Sequence, residues 1–358
     1  MRIGVLNSGG DCPGLNAVIN GVVGAADKLG WEVLGFRDGF EGLLPDGGDY
    51  MTLTPDETVA AASLGGTILG TTNKGNFAAK VGEGDVARIP SEIMDKAKEN
   101  LKKLNVGGLV VIGGDGSLTT ALQMSEEGFN IVGVPKTIDN DLQATSMTFG
   151  FDSAVSSVVE ALDRLHTTAQ SHKRVMVLEV MGRHAGWIAL WGAIGGGANV
   201  VLIPEIDTCI QKVADFIKYR EAAGKRSSLV VVAEGAKLQD GKIVTRCEGE
   251  ASEVSLGGAG DLVARELVRL TDKDVRACTL GHLQRGGSPT ALDRVLSARF
   301  GVQAVKLIEQ KRFGRMVSYQ SSEVGSVPIG DAVHQLRLVN PDGEVVQTAR
   351  ALGICLGD

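Results

Sequence analysis

The sequence is poor in aromatic residues, at 4%, and carries no basic run and no stripe of interleaved aromatic and basic residues. With a formal net charge of −7, this excludes a nucleic-acid binder. Five cysteines (Cys12, Cys209, Cys247, Cys278, Cys355) are scattered without a CxxC pair, and the five histidines form no ligand cluster. Zinc is thereby excluded, and a reducing, cytoplasmic compartment fits. The apolar start, Met1–Leu6, is too short for a signal h-region. The one long apolar stretch, Trp187–Pro204, is interrupted by Gly192, Gly195, Gly196 and Gly197. It reads as helix, turn and strand, and no membrane partner is expected.

Glycine is what the chain has in abundance. Its 49 glycines are about twice the share expected from an average usage of about 7%. Such a surplus implies tight turns and close backbone approaches. At 358 residues, two domains are expected. Ile3–Leu6 reads as a buried strand, followed by the turn Asn7-Ser8-Gly9-Gly10-Asp11-Cys12-Pro13-Gly14 and a helix over Leu15–Leu29. Strand, glycine turn and helix make an anion-binding corner, because a helix start presents free N–H groups. The spacing matches neither a Walker A loop nor a GxGxxG fingerprint.

The same pattern returns downstream. Leu109–Ile112 is an apolar strand ending in Gly113-Gly114-Asp115-Gly116-Ser117, with a helix predicted over Leu118–Glu126. One strand later, Ile131–Val134 leads into Pro135-Lys136-Thr137-Ile138-Asp139-Asn140-Asp141. Parallel strands would place these three loops on one edge of one sheet, where open α/β sheets bind ligands. Two aspartates one residue apart repel unless a metal, a cation or a proton lies between them. Phosphoryl transfer suits this set, since it needs phosphate clamping, a metal ion and a base. Asp115 is the candidate Mg²⁺ carboxylate, and Asp139 or Asp141 could take a proton from an alcohol.

Beyond Phe151, a helix over Ala154–Ala169 and a strand over Val175–Val180 lead to Met181-Gly182-Arg183-His184-Ala185-Gly186. Leu229–Ala233 ends in Glu234-Gly235, and Arg276–Pro289 is a second basic, glycine-rich stretch. Forked guanidinium groups suit a phosphate dianion. For the tail, a β-hairpin is expected: Gln335–Val339, a turn at Asn340-Pro341-Asp342-Gly343, then Val345–Thr348.

Five motifs in order resemble the 6-phosphofructokinase family from Ile3 to about Arg315. They are Ser8-Gly9-Gly10-Asp11-x-Pro13-Gly14-x-Asn16, Gly113–Ser117, Thr137–Asp141, Met181-Gly182-Arg183 and Gly281-His282-x-Gln284-Arg285-Gly286-Gly287-Ser288-Pro289. The resemblance implies phosphorylation of the 1-hydroxyl of fructose 6-phosphate, a glycolytic reaction. It gives Asp139 the role of proton acceptor, with Asp141 as acidic partner, and Thr137 and Arg183 hold the transferring phosphoryl group. Met181, Gly182 and Glu234 match sugar contacts, and Arg174, Arg276, His282 and Arg285 match the 6-phosphate site. Ile138, Leu283 and Gln284 belong to the same substrate-binding set. Arg174 and Arg276 would come from a neighbouring subunit of a homodimer or homotetramer. Gly10, Asn73, Lys74, Gly114, Asp115, Gly116 and Ser117 match the phosphoryl-donor site, with Asp115 on Mg²⁺.

The resemblance also implies an α/β fold of two Rossmann-like three-layer domains with mostly parallel sheets and the active site in the cleft between them. The donor domain is expected over 1–150 plus about 284–335, and the fructose 6-phosphate domain over about 151–283 plus 336–358. The donor is where the sequence is of mixed type. Gly116 matches ATP users, whereas Lys136 matches pyrophosphate users. An aspartate at position 116 would repel the α-phosphate; an added lysine obstructs no nucleotide. The reading is therefore ATP, with pyrophosphate and a non-catalytic sugar-phosphate sensor as alternatives.

Overall fold

The computed structural model describes the chain except residues 46–48, 73, 79, 82–84, 239–241 and 244–257. Two compact units emerge. The first comprises Met1–Ile138, Leu142–Ser153 and Arg285–Leu336; the second comprises Asp139–Asp141, Ala154–Gln284 and Arg337–Asp358.

The first unit begins with β1 (Arg2–Asn7), α1 (Leu15–Lys28), β2 (Glu32–Phe36), β3 (Tyr50–Leu53) and α2 (Pro55–Ala61). A short ribbon of β4 (Lys80–Val81) and β5 (Asp85–Val86) precedes α3 (Ser91–Lys103), β6 (Val106–Gly113), α4 (Asp115–Glu126) and β7 (Ile131–Pro135). The chain then enters α5 (Phe151–His172) and the second unit. There follow β8 (Val175–Val180), α6 (Trp187–Gly195), β9 (Val200–Leu202), α7 (Ile210–Ala222) and β10 (Ser228–Ala233). A ribbon of β11 (Lys237–Leu238) and β12 (Lys242–Ile243), then α8 (Ala259–Thr271) and β13 (Val275–Thr279), complete that passage. The first unit resumes with α9 (Ala291–Glu309), β14 (Arg315–Gln320), β15 (Glu323–Pro328) and α10 (Ile329–Val333), and α11 (Glu344–Ala351) closes the second.

The seven-stranded sheet of the first unit runs β15-β14-β7-β6-β1-β2-β3. Its centre, from β14 to β2, is parallel; β15 and β3 are antiparallel edges. β7 is buried throughout, and so is β1 after its first residue, which is why both read as unbroken apolar runs. The second unit holds a four-stranded sheet, β13-β8-β10-β9, parallel in every pairing. A mostly parallel α/β architecture was expected, and it is found.

Two local expectations are corrected. The tail is not a hairpin: Glu344–Ala351 is α11, starting after Gly343. Val346 and Ala349, three residues apart, are buried on one face, and Glu344 and Arg350 sit at the ends the helix dipole favours. α4 begins at Asp115 rather than Leu118, because Leu118 N already bonds the Gly114 carbonyl at 2.9 Å. Asp115, Gly116 and Ser117 thus form its first turn. The first turns of α5 and α9 are bound together by Asp293, which accepts from Ser153 N (2.8 Å) and Ser153 Oγ (2.6 Å).

Candidate active site

In the first unit, parallel registry brings three loops to one sheet edge. Asn7 lies opposite Ile112, and Gly113 opposite Pro135. Ser8 N donates to Ile112 O, and Lys136 N to Gly113 O, both at 2.9 Å. The stretch before position 73 closes over the first corner: Gly9 N donates to Thr72 O (3.0 Å), and Thr71 Oγ1 to Gly9 O (2.6 Å). Gly9 has φ +85°, a left-handed conformation that glycine adopts without strain. At Gly113 a Cβ would lie 2.3 Å from the Ser117 Cβ, so only glycine lets the strand end run this close to the α4 start.

Gly114 caps α4 with backbone alone, leaving the first-turn N–H groups at the sheet edge, with Asp115 as the acidic residue of that turn. Lys136 is buried at 5% exposure and its Nζ donates to the Gly10 carbonyl. Its charge is therefore fixed between the first and third loops. Arg285 leans on the same corner, its Nη1 donating to Asp11 O at 3.2 Å. A Cβ on Gly10 would stand 2.7 Å from that nitrogen. Lys74 is exposed, and Asn73 lies outside the described residues. Cys12, beneath the corner, is fully buried with Sγ donating to Phe149 O at 3.9 Å; burial pushes its thiol up to about 12.

Thr148 Oγ1 donates to the Thr137 carbonyl at 2.7 Å, which fixes the third loop up to Ile138, itself buried. The division between units falls after Ile138, so Asp139 and Asp141 belong to the second unit. Both are partly buried and flank Asn140, whose φ is +52°. Arg337 N donates to Asp141 O at 2.7 Å.

At the carboxyl ends of β8 and β10 in the second unit, Gly182 takes φ +138° and Gly235 N donates to its carbonyl at 3.1 Å. Met181, Gly182, Arg183 and Glu234 are thus brought together by two adjacent parallel strands. Gln284 is fully buried: its Oε1 accepts from Met181 N at 3.3 Å, and its Nε2 donates to Gly281 O at 3.1 Å. Its side chain holds the Met181 loop. His282 and Leu283 are exposed. Arg174 and Arg276 lie elsewhere, at the amino ends of β8 and β13, both paired with Asp274, Arg276 at 3.0 Å. Seven strand steps at about 3.3 Å separate Arg174 from Met181, roughly 23 Å. That exceeds the reach of an arginine side chain.

Sequence reasoning missed Arg337, whose partners are 150 and more positions away. Among the described residues, no group of three or more His, Cys, Asp or Glu side chains could hold a metal ion, and no helix is long and apolar enough to cross a membrane.

Comparison with known proteins gives the family. The family model for phosphofructokinase matches residues 2–308. An ATP-dependent 6-phosphofructokinase of Chloroflexus aggregans is 48% identical over 357 residues, covering 100% of this chain and 98% of that protein. A pyrophosphate–fructose 6-phosphate 1-phosphotransferase of Amycolatopsis methanolica is 45% identical over 345 residues, covering 96% and 97%. The solved phosphofructokinase of Saccharomyces cerevisiae superposes with a TM-score of 0.80 at 29% identity, over 98% of this chain and 46% of the yeast chain. With a family match over most of its length and near-full-length relatives of this similarity, the chain belongs to the phosphofructokinase family.

Proposed function

We propose that the protein transfers the γ-phosphoryl group of ATP to the 1-hydroxyl of fructose 6-phosphate, giving fructose 1,6-bisphosphate and ADP in the cytoplasm. One observation carries the reading: β1, β6 and β7 end side by side in two Gly-Gly-Asp corners and a lysine-bearing loop, beside the open start of α4. The first unit is then the donor domain. Gly10, Asn73, Lys74, Gly114, Gly116 and Ser117 receive the donor, with backbone N–H groups of the α4 first turn on its phosphates.

Mg²⁺ typically takes one or two carboxylates plus phosphate oxygens. A single carboxylate at the α4 start fits an ion that arrives on the nucleotide, so Asp115 would hold it. When bound, the ion neutralises charge on the phosphoryl oxygens. Asp139 accepts the proton as the sugar O1–P bond forms and the bond to ADP breaks, and Asp141 is its acidic neighbour. Thr137 and Arg183 steady the transferring group. Met181, Gly182, Glu234 and Ile138 contact the sugar, and His282, Leu283, Gln284 and Arg285 line or support the 6-phosphate site.

Arg174 and Arg276 complete that phosphate site in a neighbouring subunit, which makes the protein a homodimer or homotetramer. Supporting this is their place at the opposite strand ends from Met181 within one chain. A second reading, pyrophosphate as donor, is favoured by the buried Lys136 and by the Amycolatopsis relative. The absence of a carboxylate at Gly116 favours ATP. Parallel assays with ATP and pyrophosphate at equal Mg²⁺ decide between them: turnover with ATP is expected, and turnover with pyrophosphate alone overturns the ATP reading.

A further inference from the structure

The tail beyond Leu336 lies past the family match and has no role in the chemistry above, yet within the second unit it touches both loops that carry it. The Arg337 N–H holds the Asp141 carbonyl at 2.7 Å, and its Nη1 reaches the Asn140 carbonyl at 3.5 Å. Asn140 is in the left-handed region, a conformation that persists where surrounding contacts enforce it. The Arg337 guanidinium carbon lies 4.7 Å from the centroid of the Trp187 ring, and Trp187 Nε1 donates back to the Arg337 carbonyl at 2.9 Å. Trp187 is the first residue of α6, directly after the Met181–Gly186 loop. Two positions along the tail, Val339 N donates to Glu205 Oε1 at 2.8 Å. The same carboxylate accepts from Gly186 N at 3.0 and 3.1 Å, at the cap of α6.

Arg337–Val339 is therefore a strap, bonded on one side to the Asp139-Asn140-Asp141 turn and on the other to the end of the Arg183 loop. We propose that Arg337 is a positioning residue for phosphoryl transfer: with Trp187 and Glu205 it keeps the base-bearing turn and the Arg183 loop in one fixed register. The proposal rests on the phosphofructokinase reading for the roles of Asp139 and Arg183. Arginine suits the place because its planar group stacks on the indole while still donating, which a lysine ammonium cannot do. Displacing a reacting group by about 1 Å can slow turnover about 100-fold.

Three variants of the full-length protein test it: Arg337→Ala, Arg337→Lys and Trp187→Phe. Hydrogen–deuterium exchange of the peptide containing Asp139–Leu142 is measured beside kcat and the KM for fructose 6-phosphate. In Arg337→Ala, exchange in that peptide is expected to rise at least tenfold. kcat is expected to fall about 10- to 100-fold with KM within threefold. Arg337→Lys should fall between wild type and alanine. Trp187→Phe keeps a ring under the guanidinium but removes the Nε1–H that donates to the Arg337 carbonyl, so it too should fall between wild type and alanine. In Arg337→Ala, unchanged exchange in this peptide, or a kcat within twofold of wild type, overturns the proposal. So does exchange raised uniformly through the second unit, which would mark a merely structural role. Should Arg337→Ala not fold, exchange in this peptide left unchanged in both other variants overturns the proposal. A wild type that phosphorylates no fructose 6-phosphate with either donor would defeat the functional reading, and exchange would still judge the strap.

Discussion

Gly235 follows Glu234 at the tip of β10, and replacing it with alanine is a sharp test of how the Arg183 loop is held. The new Cβ would lie 1.9 Å from the Arg183 carbonyl oxygen, 2.7 Å from its carbonyl carbon and 2.9 Å from the Gly182 carbonyl oxygen. All three atoms are backbone, so no side-chain rotation relieves the clash. Bringing the closest contact to the 3.0 Å floor of real Cβ contacts moves the loop by 3.0 − 1.9, or 1.1 Å. Overpacking of this kind destabilises by about 1–3 kcal/mol, and loss of the Gly235–Gly182 hydrogen bond adds about 1 kcal/mol. If Arg183 steadies the transferring phosphoryl as proposed, a shift of about 1 Å predicts a kcat about 100-fold lower, about 2.7 kcal/mol of barrier. Steady-state kinetics below the melting transition, paired with a thermal unfolding curve, gives both numbers. A folded Gly235→Ala protein with kcat within threefold of wild type would refute the reasoning, because the loop would then tolerate the displacement.

Asp139→Ser removes the proposed base and should lower kcat by roughly 10²- to 10⁴-fold with the fructose 6-phosphate KM nearly unchanged; near-normal turnover in that variant reassigns the proton. Gly116→Asp places a carboxylate in the first turn of α4 and should suppress ATP use more than pyrophosphate use, as donor-by-donor kcat/KM values will show. Burial pushes the Asp293 carboxyl up to about 6 from 3.8, against the opposing hydrogen bonds from Ser153. Because the folded value lies above the unfolded one, the stabilising contribution is complete below about pH 4 and is lost as pH rises through 6. A rise from 3.8 to about 6 corresponds to at most about 3 kcal/mol, so urea unfolding of Asp293→Asn should vary less between pH 4 and 7.5 than wild type. Superimposable pH profiles would show that Asp293 does not titrate in this window.

What the sequence made legible was decided by how locally each signal is written. β1, β6 and β7 were readable because strands covered on both faces are continuous apolar runs, and the glycines after them mark close backbone approaches. The tail misled for the same reason. Asn340-Pro341-Asp342-Gly343 followed by β-branched residues imitates a hairpin, while burial of Val346 and Ala349 on one face makes it a helix start. A hairpin that does form upstream, β14–β15, turns through Ser321 and Ser322, both at positive φ, instead of the asparagine and glycine such turns favour. Motif residues such as Met181, Gly182 and Glu234 come together by parallel pairing of neighbouring strands, which spacing along the chain could anticipate. Arg337 could not be found that way, since its partners Asp141 and Trp187 are far off in sequence.

The cysteine under the first glycine corner has a chemical consequence. Thiolates, not thiols, are the species that oxidants and alkylating reagents attack. Cys12 is sealed from solvent and burial pushes its thiol up to about 12, so the thiolate that oxidants attack is scarce beneath this glycine corner near neutral pH. Thiol reagents should therefore label Cys12 only when this corner opens, which makes its labelling rate a local probe of unfolding.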